Sequence, residues 1–126
     1  MKSNPPKKIL IVDDEEEVLI YLTNILKNAN YEVIATDKGK DAIGLAINRR
    51  PDLIILDIVM PDIGGSEVAA LLVGNATTAN IPILFLTGIL TKQEESFVKK
   101  PNKSHVMAKP VTAGELLDMV EKIIPS

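Results

Sequence analysis

Short aliphatic runs that stop abruptly at a polar residue recur along this chain, separated by amphipathic stretches of helical spacing. Lys8-Ile9-Leu10-Ile11-Val12 runs into Asp13-Asp14, and Leu53-Ile54-Ile55-Leu56 runs into Asp57. Pro82-Ile83-Leu84-Phe85-Leu86 ends at Thr87, and His105-Val106-Met107-Ala108 at Lys109-Pro110. Apolar runs this short and this continuous predict strands covered on both faces. A weaker strand is predicted over Glu32 to Ala35. Between them, Val18, Leu19, Leu22, Ile25, Leu26 and Ala29 recur at helical spacing behind Glu15, Glu16 and Glu17, acids that suit the positive end of a helix dipole. Asn30 closes that helix. A second helix is predicted over Lys38 to Asn48, with Ala42, Leu45 and Ala46 inward, stopped by Arg49-Arg50-Pro51. A third starts at Gly64-Gly65-Ser66 with Val68, Leu71 and Leu72 on its buried face, and Gly74 to Asn80 returns the chain. Thr91 to Val98 is a short, mostly polar helix candidate, broken by Lys99-Lys100-Pro101-Asn102-Lys103. The last helix opens on a capping box, Thr112 with Glu115, and turns Leu116, Leu117, Val120, Ile123 and Ile124 inward.

Strand and helix alternate five times. That order predicts an α/β fold whose parallel sheet is covered on both faces and wound by right-handed crossovers. In such sheets ligands bind beyond the carboxyl ends of the strands, where the strand order switches. Asp13, Asp14, Asp57, Thr87 and Lys109 all fall at strand ends and are expected on one edge.

Composition narrows the function. With 126 residues the chain accommodates one domain, read here as residues 8–126 behind a flexible tail of residues 1–7. Aromatics are only 3%, so the core must be aliphatic. A net charge of -3 argues against direct nucleic-acid binding, which needs a surplus of Lys and Arg. The absence of cysteine excludes disulfides and thiolate metal sites. No membrane-spanning run or signal-peptide pattern is found, and a cytoplasmic location is expected.

The clustered acids need compensation. Two carboxylates about 4 Å apart repel by roughly 4 kcal/mol at an effective dielectric near 20, a large share of a total stability of about 5–15 kcal/mol. Lys109 supplies one positive charge, and a divalent cation would supply two more. Carboxylate and carbonyl oxygens favour a hard ion, with Mg2+ the natural choice. With Mg2+ and Lys109 to neutralise phosphoryl oxygens and Thr87 to hydrogen-bond one of them, Asp57 is suited to accept a phosphoryl group as a nucleophile.

Asp13-Asp14 after the first strand, Asp57 in the frame D-x-x-M-P with Gly65 behind it, Thr87 after the fourth strand and Lys109-Pro110 after the fifth resemble the receiver domain of two-component response regulators. The resemblance covers the whole chain. It implies a flavodoxin-like, doubly wound sheet of five strands in the order 2-1-3-4-5 with five helices. It also implies that Asp57 takes phosphate from a histidine kinase or phosphotransfer protein, and that a downstream protein reads the change. By the same carry-over Asp14, Asp57 and the carbonyl of Val59 bind Mg2+ directly, Asp13 assists through water, Thr87 and Lys109 bind the phosphoryl group, and the Lys109-Pro110 bond is cis. Such a domain is a switch rather than an enzyme, assisting at most its own phosphorylation and slow dephosphorylation.

Each residue has an ordinary reading when taken alone. Asp13 to Glu17 is also an acidic helix start, Asp57 also a turn cap, Thr87 a strand end, Lys109 a surface lysine. His105 reads as a strand residue and the methionines as core filler. Three positions depart from the family pattern: Val106 stands where Tyr or Phe is usual, Pro101 and its lysines replace a small-residue turn, and Gly64 replaces an acid. By the same resemblance, the positions two after Asp57 and two after Thr87 flank the phosphoryl group; here they are Val59 and Ile89, both apolar and unable to orient water, which predicts slow loss of phosphate. Two other functions compete with the switch: a phosphate-independent interaction module on the same fold, and a phosphatase of the haloacid-dehalogenase kind, which would want an acid where Val59 stands.

Overall fold

All five expected strands pair into a single parallel sheet. In a computed structural model that describes residues 5–88 and 104–125, β1 (Lys8–Val12), β2 (Glu32–Thr36), β3 (Leu53–Asp57), β4 (Ile83–Thr87) and β5 (Ser104–Ala108) take the order β2-β1-β3-β4-β5. The helices among the described residues are α1 (Glu16–Asn28), α2 (Gly39–Arg49), α3 (Gly65–Val73) and α4 (Ala113–Ile123). This is the flavodoxin-like fold. The helix expected over Thr91 to Val98 lies outside the described residues, as do Ile89 and Pro101 with its lysines.

Side chains alternate across each strand, so the aliphatic runs supply two cores at once. Leu10, Val12, Ile54, Leu56, Ile83, Phe85 and Val106 pack with Ala42 and Ala46 of α2 and Val68 and Leu72 of α3. Ile9, Ile11, Leu53, Ile55, Leu84, Leu86 and Met107 meet Leu22 and Leu26 of α1 and Leu116 and Val120 of α4 on the other face. Met60 and Met107 are buried in these cores, as expected of filler. At the sheet edge β2 buries only Ile34 fully, which explains its weak apolar signal.

Local stops follow the chemistry of their residues. Asn30 sits at φ 71, a left-handed conformation that Asn tolerates. Its N–H donates to the Lys27 carbonyl and that of Tyr31 to the Leu26 carbonyl, the pair of bonds that closes a helix C-terminus. At α4, Thr112 accepts from the Glu115 amide at 3.1 Å while Glu115 accepts from the Thr112 amide at 2.9 Å. Leu71 departs from expectation: it is exposed, and Ala69 takes its place on the buried face of α3. The inward stripe is Gly65, Val68, Ala69 and Leu72, and Leu71, one residue short of Leu72, is rotated about 100° away from it.

Candidate functional site

The order of strands decides where the polar ends meet. From β1 the chain goes outward to β2 and then crosses back to β3, so β1 and β3 are neighbours at the switch point. Asp57 ends β3 and Asp13 follows β1; both are buried, at 5% and 1% exposure, whereas Asp14 beside them faces solvent. Carboxylate oxygens of Asp13, Asp14 and Asp57 lie within 4.8 Å of one another.

Lys109 enters this cluster from the end of β5. Its backbone N–H donates to the Thr87 carbonyl at 2.7 Å, which fixes the turn that follows the strand. The peptide bond to Pro110 is cis, as the family resemblance implies. The ammonium lies 2.8 Å from Asp13 Oδ2, 3.2 Å from Glu15 Oε1 and 3.7 Å from Asp57 Oδ1. Asp13 uses its other oxygen, Oδ1, to accept the Glu15 amide at 2.9 Å.

Burial and the charge of Asp13 push the Asp57 carboxyl up from 3.8 to about 6, against the opposing pull of Lys109 and of the Val59 N–H; the neighbouring Asp14 carboxyl adds to the rise. For Lys109, burial lowers the affinity for its proton, but Asp13, Asp57 and Glu15 together outweigh it and raise its pKa. The corner therefore carries more negative charge than its lysine neutralises.

Gly65 is required here by close approach. A Cβ on it would lie 2.2 Å from the Asp57 carbonyl oxygen and 2.8 Å from the Ile58 Cα, so only glycine lets α3 start against the end of β3. Its N–H donates to the Ile58 carbonyl at 2.8 Å.

An open cleft of about 290 Å³ lies over the cluster, lined by Asp14, Glu15, Asp57, Val59, Gly88 and Lys109. Of the residues singled out in the sequence, Asp13, Asp14, Asp57 and Lys109 converge, and Val59 lines the same cleft. Thr87 ends the neighbouring strand with its side chain fully buried, and Gly88 rather than Thr87 lines the cleft. Two contributors carried no local signal. Glu15 belonged to an acidic helix start, and its pairing with Lys109 spans 94 residues. Tyr21 of α1, an unremarked helix residue, donates to the Val111 carbonyl at 2.9 Å and so ties α1 to the turn after Lys109.

The donor set suits a hard divalent cation. Three carboxylates converge, the buried Asp13 Oδ2 makes no directed hydrogen bond beyond its ion pair with Lys109, and the chain has no cysteine to offer a thiolate.

Residues 9–121 match the model of the response regulator receiver domain, and the chain belongs to that family. It is 28% identical over 119 residues to the polar-differentiation response regulator DivK of Brucella anthropi, spanning 94% of this chain and 97% of DivK. Protein PilH of Pseudomonas aeruginosa is 29% identical over 117 residues, spanning 93% of this chain and 97% of PilH. Among solved structures, the chemotaxis protein CheY4 of Vibrio cholerae superposes with a TM-score of 0.84 at 27% identity, covering 94% of this chain and 99% of CheY4. The class of function is thus a phosphorylation-based signalling switch of two-component systems, with an acidic pocket able to hold a metal. No helix among the described residues is long and apolar enough to cross a membrane.

Proposed function

We propose that Asp57 is the phosphoacceptor of this switch, taking a phosphoryl group from a phosphohistidine on a histidine kinase or phosphotransfer protein. The observation that carries the reading is the convergence of Asp57 with Asp13, Asp14 and Lys109 beside an open cleft that Asp14, Asp57 and Lys109 line. A carboxylate oxygen of Asp57 forms the new bond to phosphorus as the bond from phosphorus to the donor's imidazole nitrogen breaks, and the electron pair leaves with that nitrogen. Lys109, which pairs with Asp13 and lies near Asp57, would pair with the incoming phosphoryl oxygens. Thr87 supplies a hydroxyl one strand away once its side chain turns toward the cleft. Asp13, Asp14, Asp57 and the Val59 carbonyl would hold Mg2+, which when bound neutralises phosphoryl charge.

The consequence of phosphorylation is altered binding to a downstream protein. Val106, where an aromatic residue is usual, is buried against the α2 and α3 side of the sheet in register with Phe85. Its small side chain supports a switch of smaller amplitude than an aromatic rotation gives. Self-dephosphorylation is slow in this reading, since the exposed Val59 beside the cleft is apolar. The same residue weighs against a phosphatase, which would need an acid there.

Phosphoramidate, whose phosphorus is bound to nitrogen as in phosphohistidine, tests the reading. With Mg2+ present, a 31P resonance of an acyl phosphate should appear on the native protein and be absent from Asp57→Ala. Partner binding that is the same with and without that resonance would favour a phosphate-independent module.

A further inference from the structure

The loop between β3 and α3 carries Val59, yet Val59 does not fix itself. Its side chain is 57% exposed, so packing of that side chain does not hold it. Something else must hold the backbone there. At its start and end the loop is tied to α3, through the Gly65 amide on the Ile58 carbonyl at 2.8 Å and the Gly64 amide on Glu67 Oε1 at 3.3 Å. In its middle, Met60 is buried in the core.

Asp62 makes a different kind of attachment. Its Oδ1 accepts the Gly39 amide at 3.3 Å and its Oδ2 accepts the Lys40 amide at 3.0 Å, so one carboxylate spans the first two amides of α2. The helix needs it, because Lys38 at the N-cap supplies no side-chain acceptor. The Lys40 amide foremost among several amides holds the Asp62 carboxyl below its usual range. Packing reinforces the joint: a Cβ on Gly39 would lie 2.5 Å from the Ile63 side chain, 3.1 Å from the Ile63 carbonyl and 3.2 Å from the Met60 methyl. A helix cap supplied from 23 residues away is thereby also a polar anchor that joins the loop bordering Asp57 to α2.

We propose that Asp62 is a positioning residue for the phosphorylation site: by gripping the start of α2 it holds the Val59 backbone in place and so sets the affinity for the divalent cation. The proposal rests on the reading of Asp13, Asp14, Asp57 and Val59 as the Mg2+ site. It makes α2 a participant in metal binding without touching the metal. Outer residues that orient ligands typically change metal affinity by about 10–100-fold when removed. By linkage, Mg2+ should in turn tighten the grip of Asp62 on α2.

Mg2+ titrations by calorimetry on the native protein, Asp62→Ala, Asp62→Asn and Asp41→Asn test this. Asp41 is an exposed acid in the first turn of the same helix and controls for simple loss of charge. Asp62→Ala should bind Mg2+ about tenfold more weakly, Asp62→Asn should fall between it and the native protein, and Asp41→Asn should be unchanged. Native-level affinity in Asp62→Ala would overturn the proposal while leaving the metal site intact. Absence of binding by the native protein would instead remove the metal reading, and the proposal with it. If Asp62→Ala fails to fold, hydrogen exchange in the native protein decides: the Gly39 and Lys40 amides should exchange several-fold more slowly with Mg2+, and unchanged exchange would overturn the proposal.

Discussion

The Lys109 ammonium sits 2.8 Å from Asp13 Oδ2, with the lysine side chain 17% exposed and the aspartate side chain 2% exposed. The pair is therefore largely withdrawn from water, and each charge depends on the other. Removing one partner of such a pair leaves the other charge uncompensated and typically costs about 3–5 kcal/mol. Because Lys109 keeps some contact with solvent, Lys109→Met should lose about 2–4 kcal/mol at pH 7.5 in chelator. Urea unfolding of the two proteins measures the difference; a loss confined to a few tenths would mean that the acids are not crowded around the lysine.

The same crowding makes Asp57 a stability burden when no metal is bound. Its folded pKa of about 6 lies above the unfolded 3.8, so the folded protein holds this proton more tightly. The resulting stabilisation is complete below pH 3.8 and is lost as pH rises through about 6. Metal-free Asp57→Asn should therefore be more stable than the native protein at pH 7.5, by roughly 1–3 kcal/mol, and the gap should close as pH falls below 6. Asp14→Asn should raise the midpoint less, since Asp14 faces solvent. Thermal unfolding in chelator across this range checks the sign; a lower midpoint for both variants would contradict it.

Much of this site was legible before the fold was known. An aliphatic run that stops at Asp57 must place that acid at a strand end, and parallel topology then brings Asp13 and Lys109 to the same edge. The capping box of Thr112 and Glu115 was equally plain, because its signal lies within one helical turn. Glu15, Asp62 and Tyr21 were not legible in their roles. Their partners lie 94, 22 to 23 and 90 residues away, and no local pattern marks such pairings. Leu71 was misread because hydrophobicity alone does not say which side of a helix faces the sheet; the small Ala69 fits there and Leu71 is turned outward.

Tyr21 provides a further test. Its hydroxyl bond to the Val111 carbonyl steadies the turn after Lys109 from the side of α1. Tyr21→Phe keeps the ring and removes only that bond, so stability should fall by about 0.5–1.5 kcal/mol. Phosphorylation should also slow several-fold if the turn sets the position of Lys109. Stability and rate both unchanged would show that the bond holds nothing in place.

Loss of phosphate tests the role of the apolar flank. Val59 lines the cleft beside Asp57, and Ile89 follows Gly88 in the sequence. Introducing Asn at position 59 and Gln at position 89 together should speed dephosphorylation several-fold, by giving an attacking water groups to bond. The half-life of the phosphoprotein after donor removal is the measurement, and an unchanged half-life would defeat the explanation.

Gly65 bears on geometry alone. Gly65→Ala places a methyl group 2.2 Å from the Asp57 carbonyl oxygen, so the start of α3 must move. A stability loss of at least about 1–3 kcal/mol is expected, together with weakened phosphorylation. Gly44→Ala, where an added Cβ meets nothing within 4 Å, should be neutral or mildly stabilising by the same unfolding measurement.

The most direct test of Asp57 as phosphoacceptor is intact mass after incubation with Mg2+ and acetyl phosphate, for the native chain and Asp57→Ala. One phosphate adduct is expected on the native chain, lost on chelating the metal and absent from Asp57→Ala. An adduct that survives in Asp57→Ala, or none on the native chain under any condition, would contradict the assignment.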